Sequence, residues 1–245
     1  APTSVAWRPP RGRCSADRPA LTEGELRHPE SLAPVSRLTI ELYAILDRAA
    51  SRGRDIREIL DAVIAGGCRM VQLREKEWFT RQLLPLAQEL RDRTGKAGVT
   101  FIVNDRLDVA LAVEADGLHV GQDDLPAPIA RRLLRPGMIL GVSSHSLDQA
   151  RQAEADGADY VAVGSIYPSG TKPAFQLVGV ELLRQVRPLL HVPLVAIGGI
   201  TPGNVGEVIR AGADGVAVIS ALCAVPDPAQ AARAFLECIR AARTS

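Results

Sequence analysis

The chain has 245 residues, 47% of them hydrophobic and 23% charged, with a formal net charge of +1. That length suits one large α/β domain with a substantial core, while the near-cancelled charge and the lack of a basic run interleaved with aromatics argue against a nucleic-acid surface. No apolar run reaches the roughly 18 residues of a membrane span, and Cys14, Cys68, Cys223 and Cys238 show neither CxxC pairing nor a His partner at metal-finger spacing, so a reducing cytoplasm is the expected setting.

Residues 1–37 are rich in Pro and Arg and lack the apolar centre of a secretory signal, so they read as a flexible extension ahead of a catalytic domain over 38–245. Short β-branched runs then follow in order: "LYAILD" (42–47), "MVQLRE" (70–75), "TFIVND" (100–105), "GLHVG" (117–121), "ILGVSS" (139–144), "YVAVGSI" (160–166), "PLVAIGG" (193–199) and "GVAVIS" (215–220). Between them lie segments of helical period, such as "DIREILDAVIAGG" and "LDQARQAEADGA", each with a Gly near its end as a stop. Eight alternations of strand and helix predict a parallel sheet closed into a single-domain (β/α)8 TIM barrel. An open doubly wound sheet is the structural rival. Closure is favoured because no element is left over and the first strand supplies a partner for the last. The near-repeats "EADGLHV", "EADGADYVAV" and "RAGADGVAV" run through acidic-Gly turns into strands, which places them at the bottom of a barrel as structural features.

Chemistry in this fold belongs at the C-terminal strand ends. Along "VQLREKE", Gln72, Arg74 and Lys76 share one face, and Val71, Leu73 and Glu75 the other. The third strand delivers Asn104 and Asp105, the fourth Asp123 and Asp124, the fifth Ser143 and the eighth Ser220. Such carboxylates and cations can form plain salt bridges. Together they also suit Mg²⁺ and a polyphosphate, with Asp105 and Asp124 as the protein's ligands and Arg74, Lys76 and Lys172 facing the anion. A second anion site is suggested by Gly198 and Gly199 ahead of Thr201-Pro202, read as an N-cap and first helical position, with Ser220 and "SGT" (169–171) nearby. Close packing is the other reading of the glycine pair.

Taken together, "QLREK", "NDR", "ADGLHVGQDDLP", "GVSSHS", "GADYVAVGSIYPSGTKP", "AIGGITPGN" and "GADGVAVISAL" resemble the thiamine-phosphate synthase family over 38–243. The related thiazole tautomerases share the barrel, "GADGVAVIS" and a His after the fifth-strand serine, but generally lack the arginine-lysine and paired-carboxylate tags. The resemblance implies a transferase that couples hydroxymethylpyrimidine diphosphate to hydroxyethylthiazole phosphate, giving thiamine phosphate and pyrophosphate. By the same resemblance, Gln72, Leu73, Arg74, Glu75, Lys76, Asn104, Ser143 and Lys172 bind the pyrimidine diphosphate, Leu73 and Glu75 through their backbone. Ser169, Gly170, Thr171, Gly199, Ile219 and Ser220 seat the thiazole phosphate, Ile219 through its backbone, and Asp105 and Asp124 hold Mg²⁺. Arg74, Lys76 and Lys172 stabilise the departing group and Ser143 touches the pyrimidine, so no protein nucleophile or general base is needed.

Ser169 stands where the family usually has Thr, and "PAFQLVGV" follows "TK" where many members have an acidic residue. His145 occupies the position of the tautomerase histidine, His119 reads as a packed core residue, Trp78 and Phe79 as helix packing, and Cys68 and Cys223 as small buried hydrophobes. A thiazole tautomerase and a noncatalytic phosphate-binding regulatory barrel remain the alternatives, and homo-oligomerisation stays open. The expected partners are small molecules, with neither nucleic acid nor membrane among them.

Overall fold

A computed structural model describes residues 38–169 and 177–244. The strands are β1 (Leu42–Asp47), β2 (Met70–Arg74), β3 (Thr100–Asn104), β4 (Gly117–Val120), β5 (Ile139–Ser144), β6 (Tyr160–Val163), β7 (Leu194–Ile197) and β8 (Gly215–Val218). Each pairs in parallel with its neighbour, and β1 also pairs with β8 in the register Leu42↔Val216, so the sheet closes into a barrel and the open-sheet rival falls.

Around the barrel run α1 (Ile56–Ala65), α2 (Thr80–Ala97), α3 (Leu107–Ala112), α4 (Ala127–Leu133), α5 (Leu147–Ala155), α6 (Gly179–Val186), α7 (Val205–Arg210), the short α8 (Ser220–Cys223) and α9 (Pro228–Arg243). Three begin on side-chain caps: Asp55 accepts from Arg57 N at 2.9 Å, Ser146 from Gln149 N at 3.2 Å and Asp227 from Gln230 N at 2.9 Å. Each such cap satisfies an amide that has no intrahelical acceptor and stabilises by about 1 kcal/mol. Among the described residues no helix is long and apolar enough to cross a membrane.

The period of two along the strands divides the core. One set of alternate residues, including Leu46, Val71, Leu73, Phe101 and Leu118, packs against Ile59, Leu60, Leu90 and Phe235 of the helices. The other set, with Tyr43, Ile45, Met70, Ile102, Tyr160, Val195 and Ala217, fills the barrel interior. Full burial of such a side chain contributes roughly 1.5–3 kcal/mol, so both layers hold the closed shape.

The acidic-Gly turns act at the bottom, as expected. Asp116 accepts from Phe101 N at 2.8 Å, Asp159 from Leu140 N at 2.7 Å and Asp214 from Leu194 N at 2.7 Å. Each aspartate precedes its own strand and receives an amide near the start of the strand before it. Arg91, Arg131 and Arg187 pair with the same three carboxylates, so register is set by three repeated charge-assisted staples.

Two sequence expectations shift at the rim. Strand β7 stops at Ile197 because Gly198 turns out of the sheet at φ 107°. Beyond β6, the chain follows that exit instead, with Ile166 N donating to Ile197 O and Tyr167 N to Gly198 O, both at 3.0 Å. Helix α7 begins at Val205, and Thr201 opens the turn before it, so the Thr201-Pro202 N-cap is corrected. The reason lies in Asn204, whose side chain accepts from Thr201 N at 2.8 Å and donates to Gly199 O at 3.1 Å.

Candidate active site

The alternation read in "VQLREKE" holds. Gln72 lies inside the barrel and its Nε2 donates to the Tyr43 hydroxyl at 2.6 Å. Arg74 pairs with Asp47 at the end of β1, and Lys76 pairs with Asp105 at the end of β3. Leu73 turns its side chain to the outer layer, leaving only main chain to serve a ligand. The Glu75 carboxylate is turned to Arg48 Nε at 2.6 Å and to its own loop through Glu77 N at 2.8 Å. Asp47 is buried and also accepts from Ala50 N at 2.9 Å, so its orientation, and with it that of Arg74, is set from two sides.

Asp105 takes the left-handed backbone conformation at φ 61°, one of few that Asp tolerates better than most residues. Its amide donates to His119 O at 2.8 Å, which ties the end of β3 to β4. Asp124 is fixed by accepting from Gly121 N at 2.7 Å. The Asp105 and Asp124 carboxyls are close enough for each to shift the ionisation of the other. Burial, followed by that contact, raises the Asp105 pKa against the pull of Lys76. Burial opposes ionisation of Asp124 too, but the contact with Asp105 and the Gly121 amide outweigh it and hold Asp124 low. This mutual shift in ionisation is an effect that a divalent cation would relieve. Among the described residues no cluster of three or more His, Cys, Asp or Glu is arranged to hold a metal. Two hard oxygen donors suit Mg²⁺, which keeps much of its shell in water and phosphate. Asp123 is exposed beside the pair.

Across the mouth, Ser143 Oγ lies 2.9 Å from His119 Nε2, and its carbonyl accepts from Gln122 Nε2 at 2.7 Å. His119 is buried, as expected of a core residue, but is hydrogen-bonded as well: Nδ1 meets the Tyr160 hydroxyl at 2.9 Å. Asn104 is buried on the inner face in register with His119. His145 Nδ1 bonds to Gly164 O, and its amide donates to Gln149 Oε1 at 2.7 Å. Trp78 carries the Arg48 guanidinium 5.1 Å above its ring and packs partly against the outer core. Phe79 is 80% exposed, so its expected packing role is corrected: it precedes α2 without reaching the core.

A cavity of about 230 Å³ opens beside this mouth, lined by Ser169, Gly198, Gly199, Thr201, Ile219 and Ser220 among others. The glycine pair does pack closely: a Cβ on Gly199, at φ 63°, would stand 2.5 Å from Pro168 O, and one on Gly198 would stand 2.8 Å from Ser165 Cα. The same absence of side chains leaves the cavity open. Ser220 starts α8, whose first-turn amides have no intrahelical acceptor. Gly170, Thr171 and Lys172 lie outside the described residues.

The sequence reading passed over four residues of this region: Asp47, Tyr43, Tyr160 and Asn204. Asp47 ends "LYAILD", and the rim rule that selected Asp105 reaches it equally. The tyrosines carried no local signal, because each gains its role from a strand across the barrel.

A family model described as thiamine monophosphate synthase matches residues 42–222. The chain belongs to the thiamine monophosphate synthase family. It is 53% identical over 204 residues to a thiamine-phosphate synthase of Moorella thermoacetica, covering 83% of this chain and 97% of that one. A thiamine-phosphate synthase of Chloroflexus aurantiacus is 53% identical over 193 residues, covering 78% and 89%. Among solved structures, a thiamine phosphate pyrophosphorylase from Pyrococcus furiosus superposes with a TM-score of 0.76 at 35% identity, covering 83% of this chain and 96% of that one. The protein is thus an enzyme of the thiamine monophosphate synthase family, a transferase.

Proposed function

We propose that this enzyme couples hydroxymethylpyrimidine diphosphate with hydroxyethylthiazole phosphate to form thiamine phosphate and pyrophosphate. The observation that carries this reading is the convergence of Arg74, Lys76, Asp105 and Asp124 on one rim, within a family of that name. Neither the tautomerase nor the regulatory-barrel alternative calls for that set.

In the proposed reaction the bond from the pyrimidine's methylene carbon to the diphosphate oxygen breaks, and a bond from the thiazole nitrogen to the same carbon forms. The aminopyrimidine stabilises the developing cation. Arg74 and Lys76 face the charge that grows on the departing diphosphate, and Lys172 is assigned to the same task. Mg²⁺ held by Asp105 and Asp124 would add charge neutralisation at the diphosphate. Asp47 keeps Arg74 directed at the mouth. Ser169, Gly170, Thr171, Gly199, Ser220 and the backbone of Ile219 are assigned to the thiazole phosphate, and that anchor converts an encounter of two solutes into a near-attack geometry. Ser143, Gln72 and Asn104 are assigned to the pyrimidine, with main chain of Leu73 and Glu75 beside the diphosphate.

Purified protein incubated with both substrates and Mg²⁺ is expected to release pyrophosphate and thiamine phosphate in equal amounts. Isomerisation without coupling, or binding without turnover, would overturn the proposal in favour of the tautomerase or the regulatory barrel.

A further inference from the structure

Five polar side chains form an unbroken line through the barrel interior, from β2 to β5. Gln72 Nε2 meets Tyr43 Oη at 2.6 Å, Tyr43 Oη meets Tyr160 Oη at 2.9 Å, Tyr160 Oη meets His119 Nδ1 at 2.9 Å, and His119 Nε2 meets Ser143 Oγ at 2.9 Å. The three middle members are almost shut off from water, at 1% exposure for Tyr43, 0% for Tyr160 and 6% for His119. The rings are also held in place: the tyrosines meet edge to face with centroids 5.8 Å apart, and His119 stacks on Tyr160 at 5.6 Å. Room for Tyr160 is reserved by Gly141, where a Cβ would stand 2.5 Å from its Cε1 and closer still to Cζ and the hydroxyl.

Each tyrosine has one hydrogen to give, and burial raises both phenols well above the usual range, so both stay protonated. With Gln72 Nε2 donating to Tyr43, the Tyr43 hydrogen goes to Tyr160, and the Tyr160 hydrogen to His119 Nδ1. A neutral imidazole that accepts at Nδ1 carries its hydrogen on Nε2 and donates to Ser143. The Ser143 hydrogen is then directed outward. We infer that this line is a proton-ordering relay, in which Tyr43, Tyr160 and His119 act as positioning residues that present Ser143 as a hydrogen-bond donor to a ring nitrogen of the bound pyrimidine. The inference rests on the proposed coupling reaction for the identity of the ligand, and on the Gln72 amide donating to Tyr43 for the hydrogen order. A reversed line would place Gln72 Oε1 against Tyr43, make His119 an Nδ1–H ring and turn Ser143 into an acceptor.

The ring nitrogens of ¹⁵N-histidine-labelled, ligand-free enzyme report the order directly at roughly pH 8.5, where an ordinary imidazole is neutral, with His119→Gln used to assign the signal. An Nε2–H tautomer is expected, and an Nδ1–H tautomer would overturn the relay. In Tyr160→Phe the tautomer preference should weaken, and the KM for the pyrimidine diphosphate should rise roughly tenfold, the loss of about one hydrogen bond, with the thiazole phosphate KM unchanged. Equal rises in both KM values would reduce Tyr160 to a packing residue and overturn the inference. The two readings fail separately. An Nδ1–H ring in an enzyme that couples its substrates sinks only the relay, whereas an Nε2–H ring in a protein that does not couple them sinks only the reaction.

Discussion

Substituting Gly141 by Ala tests how firmly the barrel interior holds Tyr160. The new methyl would stand 2.5 Å from Tyr160 Cε1, with Cζ and Oη nearer still, and the ring is 0% exposed. Overpacking of this kind costs roughly 1–3 kcal/mol. Displacing the ring also pulls its hydroxyl from Tyr43 and His119, which adds about 1–3 kcal/mol for a buried group left unsatisfied. The sum is about 2–6 kcal/mol, large against the ordinary 5–15 kcal/mol of a folded domain. Urea unfolding is the assay: the midpoint should fall while the slope is unchanged. In a Tyr160→Leu background, whose side chain does not reach the Gly141 position, the same Gly141→Ala change should cost under about 0.5 kcal/mol, a coupling readable as a double-mutant cycle. A cost as large in that background as in the native one would refute the steric account, and a negligible cost in the native background would refute both parts.

Three further outcomes are expected. Asp124→Ala should lower coupling activity at least about a hundredfold at limiting Mg²⁺ with the thermal midpoint nearly unchanged, and near-normal turnover would count against the carboxylate pair as the metal site. Asp47→Ala leaves the Arg74 guanidinium, 17% exposed, without its carboxylate; urea melts should show a loss of about 2–3 kcal/mol, below the full penalty for a buried pair because Arg74 keeps some water. Glu154 accepts from His191 N at 2.7 Å and Val192 N at 2.9 Å, and although burial opposes its ionisation, those amides hold its pKa below the usual carboxylate range. A depressed carboxylate contributes stability above its unfolded pKa that is lost as pH falls through the folded one. Glu154→Gln, which keeps an oxygen on both amides, should therefore flatten the acid limb of the stability curve while costing less at neutral pH than Glu154→Ala, and parallel acid limbs for Gln variant and native protein would refute this.

Strand order and barrel closure were legible because eight β-branched runs and the period of two are local properties of the chain. So was the inward face of β2, since alternation alone places Gln72 with Arg74. Helix α7 was misread for an equally local reason: Thr201-Pro202 looks like a cap, but Asn204 bends its side chain back onto the turn and delays the helix to Val205. Contacts between distant strands were not legible at all. Tyr43 and Tyr160 are 117 residues apart, and neither neighbourhood hints that their hydroxyls meet. Asp47 falls between these cases, since its place at a strand end was visible and its partner Arg74 was not.

The rim cations raise a last point of electrostatics. Arg74 and Lys76 already hold carboxylates, Asp47 and Asp105, before any anion arrives. Those two pairs are not equivalent. Asp47 is buried, receives the Ala50 amide and faces its arginine, so the pair is built to persist and to aim the guanidinium. Asp105 lies against Asp124 and is raised in pKa, so its hold on Lys76 offsets a repulsion that a divalent cation would remove. Under the proposed reaction Lys76 is therefore the cation released to follow the diphosphate, while Arg74 stays in place as the fixed one. Removing the Lys76 charge with Lys76→Met should then lower kcat while the Mg²⁺ concentration at half-activity falls, because the departing group loses its partner as the metal pair loses a competitor for Asp105. A purely metal-side effect, with kcat unchanged at saturating Mg²⁺, would assign Lys76 to the carboxylates alone.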